Sequence, residues 1–192
     1  MALRIQPNKI KILESVLYLI KYAQERTYTF TQYSIVKSVF IADVNHIKKF
    51  GRPVTFDNYA AMQNGPVASC TYDLIRPDGK GSFAGFDLHE PLWKTRPRPD
   101  LSPTAYEYYD VARNPDLKKL SETDRDELDQ AADLVNKLGF FKVRDFTHEH
   151  PAYKQAWSDK EPQKSFPMNY RLMMPTMSEE DFFELVEYSR HS

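Results

Sequence analysis

Cysteine is nearly missing from this sequence. Cys70 alone among 192 residues rules out an intramolecular disulfide and suits a reducing compartment. Long apolar runs are missing as well. The run at 16–20 is five residues long and flanked by charges, whereas a secretory signal needs an apolar core of about seven or more and a membrane span about 20. Neither sign of charge is in excess: 26 Lys and Arg face 27 Asp and Glu, a formal net charge of −1. Duplex DNA affinity comes mainly from neutralising phosphates, and a balanced chain lacks the basic footprint for it. Low-complexity tracts and internal repeats are also absent. These absences describe a soluble chain, expected to be cytoplasmic, with no membrane contact and no nucleic acid bound by the protein alone.

What is present is apolar periodicity, mostly helical. Positions Leu13, Val16, Leu17, Ile20 and Ala23 predict a helix over 8–26 started by Pro7 and Asn8. A second helix is predicted over 32–50, with Val36, Val39, Phe40, Val44 and Ile47 on one face and Gly51 and Pro53 ending it. The lysines scattered here (Lys9, Lys11, Lys21, Lys37, Lys48, Lys49) read as solvated helix faces. A third helix from Thr55 or Asp57 would carry Tyr59, Ala60 and Met62 inward. It would end at Asn64-Gly65-Pro66, and Pro66 would open a fourth helix bearing Val67, Cys70, Leu74 and Ile75. The two together outline a helix-turn-helix.

The period is then lost. Segment 76–120 holds three of the six glycines and six prolines, and its runs 92–96 and 106–111 read as strands of a small antiparallel sheet, with a mobile loop at 78–85. Helical order returns at Ser121, three residues before Asp124, with Leu128, Ala131, Ala132, Val135 and Leu138 in one stripe closed by Gly139. Segment 142–150 reads as helical, Pro151 interrupts it, and 152–157 adds another turn or two. Beyond an irregular 165–176 with Met168, Met173, Met174 and Met177 clustered around it, a last helix starts at Ser178 and buries Phe182, Leu185 and Val186. The fold class expected is α+β: a mostly helical single domain with a small antiparallel sheet inserted between helices.

Candidate chemistry is sparse. Asp145 and His148 share a helix face (i, i+3), the spacing of metal ligands or an acid–base pair. A buried histidine satisfied by a nearby carboxylate explains the same residues, and no other His-rich or Cys-rich spacing adds ligands. Cys70 lies on the apolar side of a helix, where cysteine commonly serves as a small hydrophobe, and no base can be assigned to it. Gly79 and Gly81 lack phosphate-loop spacing. The methionines fit an adaptable partner surface or core filling equally well, while Tyr106, Tyr108 and Tyr109 fit sheet packing better than recognition.

Three stretches carry a family likeness: 36–43 (VKSVFIAD), 50–55 (FGRPVT) and 59–67 (YAAMQNGPV). The later Asp145-Phe146-Thr147-His148, Pro151-Ala152-Tyr153 and Trp157 follow in the same order. Over 36–157 the chain resembles the Panacea domain, the SocA-like antitoxin family. The resemblance divides the chain into an N-terminal helix and connection (1–35), a core (36–157) carrying the insertion at about 76–120, and a C-terminal segment (158–192). It implies an antitoxin of a bacterial or phage toxin–antitoxin system that neutralises a protein toxin, encoded next to it, by direct binding. The main rival it implies is an adaptor that delivers its toxin to a protease; a DNA-binding regulator and a metal-dependent hydrolase rank behind. Some members carry a separate N-terminal DNA-binding domain, for which the roughly 35 residues before the core are too few. The family brings no active site, so no enzyme activity, metal or cofactor is expected. The residues carried over as motif, structural or partner-binding, are Asp43, Tyr59, Met62, Gly65, Pro66, Val67, Asp145, His148, Tyr153 and Trp157. On this reading Gly65 and Pro66 set a turn, Tyr59 packs beside it, and His148 with Asp145 satisfies polar groups at its base. Partner choice then falls to segment 76–120 and the tail from Ser165, and a homo-oligomer stays open.

Overall fold

The computed structural model describes residues 5–76, 82, 83, 86, 87, 90, 92–158 and 164–191. Helix α1 (Lys9–Glu25) starts where Asn8 accepts the Lys11 amide at 2.9 Å, and buries Ile12, Val16, Leu19, Ile20 and Ala23. Helix α2 (Gln32–Phe50) is capped by Thr31 and stopped by Gly51, which takes the left-handed φ of 73° and donates its N–H to Ile47. Its apolar positions are almost wholly covered, which makes α2 the central helix.

The tandem-helix expectation for 57–75 is wrong. Strands β1 (Tyr59–Met62) and β2 (Gly65–Ala68) form an antiparallel hairpin, and only then does a short helix α3 (Ser69–Leu74) begin. Ala-Ala-Met favours a helix intrinsically, but propensity is a weak prior that packing overrides. In β1, Tyr59 and Ala61 point into the core while Ala60 and Met62 are half-buried, the period-two pattern of a strand. Pro66 sits on β2, which among the described residues pairs with β1 alone, so its missing N–H costs no ladder bond. The hairpin is completed from far away in sequence: β7 (Ser165–Pro167) pairs with the other side of β1, giving the order β2-β1-β7. Sequence periodicity gave no warning of this three-stranded sheet.

Two short strands, β3 (Ser82–Phe83) and β4 (Phe86–Asp87), pair within the insertion; the rest of the 78–85 loop lies outside the described residues. The expected pair at 92–111 is present as β5 (Lys94–Pro97) and β6 (Tyr106–Tyr109), antiparallel, with Tyr108 buried against the core. Helix α4 (Glu122–His148) opens with the expected Ser121–Asp124 capping box and packs along α2. Gly139 is non-helical (φ 70°, ψ 177°) and closes the first stretch as expected; across this kink a second helical stretch runs to His148. His150 caps α5 (Pro151–Ala156) with its Nδ1, which accepts the Ala152 amide at 3.2 Å. A 3₁₀ turn (Tyr170–Met173) and α6 (Glu179–His191) follow. Met168, Met173 and Met174 are buried, which removes them from any partner surface and assigns them to the core. The α+β class stands: among the described residues six helices pack with short antiparallel strands.

One carboxylate holds α2 to the hairpin. Asp43 is fully buried and accepts four hydrogen bonds: Val54 N and Thr55 N at 2.9 Å, and the Thr55 and Tyr59 hydroxyls at 2.6 Å. Leaving buried donors unpaired costs about 1–3 kcal/mol each before relaxation. Asp43→Ala is therefore expected to destabilise the protein by about 3 kcal/mol or more, read as a lowered urea midpoint at unchanged slope; a loss under about 1 kcal/mol would show that the network is dispensable.

Candidate functional site

Residues from four elements meet around the hairpin turn. Gly65 closes the turn with φ of +99°, and its Cα faces the end of Lys37 and the α4 residues Thr147 and His148. A Cβ built there would lie 2.6 Å from Lys37 Nζ, 2.8 Å from Thr147 Oγ1 and 3.2 Å from the His148 ring. Two separate constraints thus select glycine, the left-handed backbone and the absence of room.

Lys37 is not on a solvated face. It is 1% exposed, donates from Nζ to the Pro66 carbonyl at 2.7 Å and lies 5.2 Å from the Tyr33 ring. It makes no ion pair among the described residues, and burial pushes its ammonium down to about 7. The signal was present in the sequence: Lys37 continues the stripe of Phe40, Ile41 and Val44 at helical spacing.

The His148 ring stacks on Tyr153 at 4.4 Å and 18°, and its buried Nε2 has no hydrogen-bond partner among the described residues. Burial, and next the Lys37 charge, hold the imidazole below its ordinary range. Asp145 does not serve it. That carboxylate is largely exposed and takes the Arg144 guanidinium at 2.8 and 2.9 Å, so the expected Asp145–His148 partnership is not formed. Tyr153 donates its hydroxyl to the Met62 carbonyl at 3.0 Å and stacks on Trp157, whose ring meets Phe166 of β7 edge-on. Tyr59 packs edge-on against Phe40 and bonds Asp43, while Val67 packs partly buried on the core. Of the ten motif residues, nine therefore converge on the hairpin and its supports; Asp145 alone points away.

The sequence predicts Asp57 as a cap of an adjacent helix. It does cap a helix, but one that starts twelve residues later: it accepts Cys70 N and Thr71 N at 2.8 Å and the Thr71 hydroxyl at 2.7 Å, all at the start of α3. Burial pushes its carboxyl up to about 6 against the pull of these bonds. Cys70 is half-buried, and burial followed by the Asp57 charge pushes its thiol up to about 12, the opposite of an activated nucleophile. Among the described residues no three His, Cys, Asp or Glu side chains converge as a metal site. None of the described helices is long and apolar enough to cross a membrane.

Gly65→Ala is expected to cost about 1–2 kcal/mol from the left-handed backbone and about 1–3 kcal/mol more from overpacking against Lys37 and Thr147. Calorimetry showing a wild-type melting temperature would remove both constraints. Lys37 also sets a pH dependence. Its folded pKa, about 7, lies below the unfolded value of about 10.4, so the unfolded chain binds more protons between the two. Its contribution to stability therefore rises with pH from about 7 upward. Lys37→Met is expected to be more stable than wild type at pH 7, by a margin that shrinks towards pH 9; a constant margin would mean that Lys37 does not titrate on folding.

Comparison with protein families gives one finding. Residues 35–154 match the family described as Antitoxin SocA-like, Panacea domain, which spans every element from α2 to most of α5. Comparison with curated proteins and with solved structures gives no significant match.

Proposed function

We propose that this chain, which belongs to the SocA-like Panacea domain family, is an antitoxin that neutralises a cognate protein toxin by binding it directly. The observation that carries this reading is the family match over more than half of the chain, taking in the hairpin together with Lys37, Asp43, Thr147, His148 and Tyr153. The geometry supports a binding role over catalysis. The motif residues are spent on internal contacts: Asp43 on four donors, Tyr153 on the Met62 carbonyl, Lys37 on Pro66. The thiol is held protonated, and the one acid–histidine pairing suggested by spacing is not made. The tandem-helix outline that favoured a DNA-binding regulator has become a hairpin. Direct blocking of the toxin needs only a complementary surface, whereas proteolytic delivery needs a second one for the protease.

The test is co-expression with the protein encoded beside this chain. That neighbour alone is expected to arrest growth, and growth is expected to return in its company, with the toxin's amount unchanged on a blot. Rescue accompanied by disappearance of the toxin would replace blocking with proteolytic delivery. A neighbour harmless by itself, or lethal in spite of this protein, would end the antitoxin reading.

A further inference from the structure

A cleft of about 220 Å³ opens beside the hairpin supports, between α2 and the corner where α4 passes into α5. Its floor is apolar, made by Phe40, Ile41 and Val44 of the central helix. Phe146 stands on its rim with its ring 54% exposed. Such a ring in contact with an open apolar cleft is surface that water leaves favourably. For size, a dry apolar cavity of about 150 Å³ already accommodates benzene, so the cleft has room for one bulky side chain.

Charge decides what should accompany that side chain. The rim carries Lys48, His150 and Glu149. Glu149 is engaged by Lys154 at 2.5 Å. His150 is held neutral near pH 7, its proton affinity lowered to about 4 by burial and then by Lys48. Lys48 is exposed and has no ion pair among the described residues, unlike its neighbour Lys49, which binds Glu127 at 2.5 Å. One uncompensated positive charge therefore stands over an apolar floor.

We propose that this cleft is the toxin-docking site, and that it receives a bulky apolar side chain of the toxin flanked by a carboxylate paired with Lys48. The proposal rests on the antitoxin reading and adds the surface and the partner chemistry. Two other features are weaker. The cleft of about 290 Å³ beside Tyr18 and Tyr22 is built largely by residues before position 35, outside the family match, whereas every residue lining the Phe146 cleft lies within 35–154. Phe140, in the exposed pair with Phe141, already packs on Tyr33 at 4.5 Å.

The experiment measures affinity of the purified protein for the purified product of the adjacent gene by calorimetry, alongside thermal melts and growth rescue. Lys48→Glu and Phe146→Ala change exposed side chains and are expected to melt within about 2 °C of wild type. Each is expected to weaken binding about tenfold or more, the loss that follows truncation of an interface anchor. Lys48→Gln should fall between wild type and Lys48→Glu, and Phe183→Ala, an exposed ring on α6 away from the cleft, should bind as wild type. If wild type binds and rescues growth while Lys48→Glu and Phe146→Ala do so equally well, the cleft is overturned and the antitoxin reading stands. Loss of binding in Phe183→Ala alone would likewise overturn the cleft. If wild type neither binds nor rescues, the antitoxin reading fails first and the docking site falls with it.

Discussion

A carboxylate shut away from water persists only when its lone pairs are occupied, and Asp43 occupies its four with groups from two parts of the chain, the loop at 54–55 and the start of β1. The amides of Val54 and Thr55 fix the loop that leaves α2. The Tyr59 hydroxyl fixes the first residue of β1, so the register of the hairpin is set from the central helix. Phe40 and Tyr170 then close on the Tyr59 ring. Asp57 extends the same device one step further: its carboxylate receives the α3 amides that would otherwise be open at that helix start. Two buried acids therefore carry the chain from α2 through the hairpin into α3.

The opposite charge is treated differently. Lys37 lies on α2 six residues before Asp43, yet the two do not pair; its ammonium bonds a single carbonyl and rests near an aromatic ring. Bringing a lone cation out of water is costly, and the lowered proton affinity of Lys37 is that cost expressed as chemistry. The contact it secures is the Gly65-Pro66 turn, where it shares the space a Cβ would need with Thr147 and His148. The turn is tight because three side chains from two helices crowd a residue that has none. Removing the charge relieves an expense without loosening the packing, whereas adding a methyl at Gly65 collides with the packing itself.

The helices were legible because their signals are local. Asn8, Thr31 and the Ser121–Asp124 pair cap within three residues, and Gly51 and Gly139 mark a stop and a kink at their own positions. The hairpin was not legible, because what makes 59–68 a sheet is remote. Met62 pairs with Ser165 across more than a hundred residues, and Asp43 reaches Tyr59 from the preceding helix. Read locally, Ala-Ala-Met before Gly-Pro favours two helices. Lys37 is illegible for a related reason: lysines usually face water, and only its place on the stripe of Phe40, Ile41 and Val44 signals burial. Met168, Met173 and Met174, which composition left undecided, belong to the core, where β7 brings their segment against β1, while Met177 is half-buried at its edge. Of the residues carried over from the family likeness, nine gather on the hairpin and its supports. Asp145 does not join them, since Arg144 takes its carboxylate.

Which residues fold the protein and which bind its partner are therefore separable only in part. Asp43, Tyr59, Gly65 and Tyr153 are committed inward, and a partner contact made through them would have to break the contacts that form the sheet. Phe40 is different: one side of its ring meets Tyr59 and His150, while it also floors the cleft. A cleft floor drawn from the core is rigid, since its side chains are fixed by packing from behind, and a rigid floor lowers the ordering cost of association. On the proposed docking, the variable part of recognition falls to the rim, where Lys48 and Phe146 are exposed. A family can keep one hairpin and one floor and still change partners by altering a few exposed positions around them. On this view the buried network around Asp43 matters to binding indirectly, by fixing the helix from which both the floor and Lys48 project.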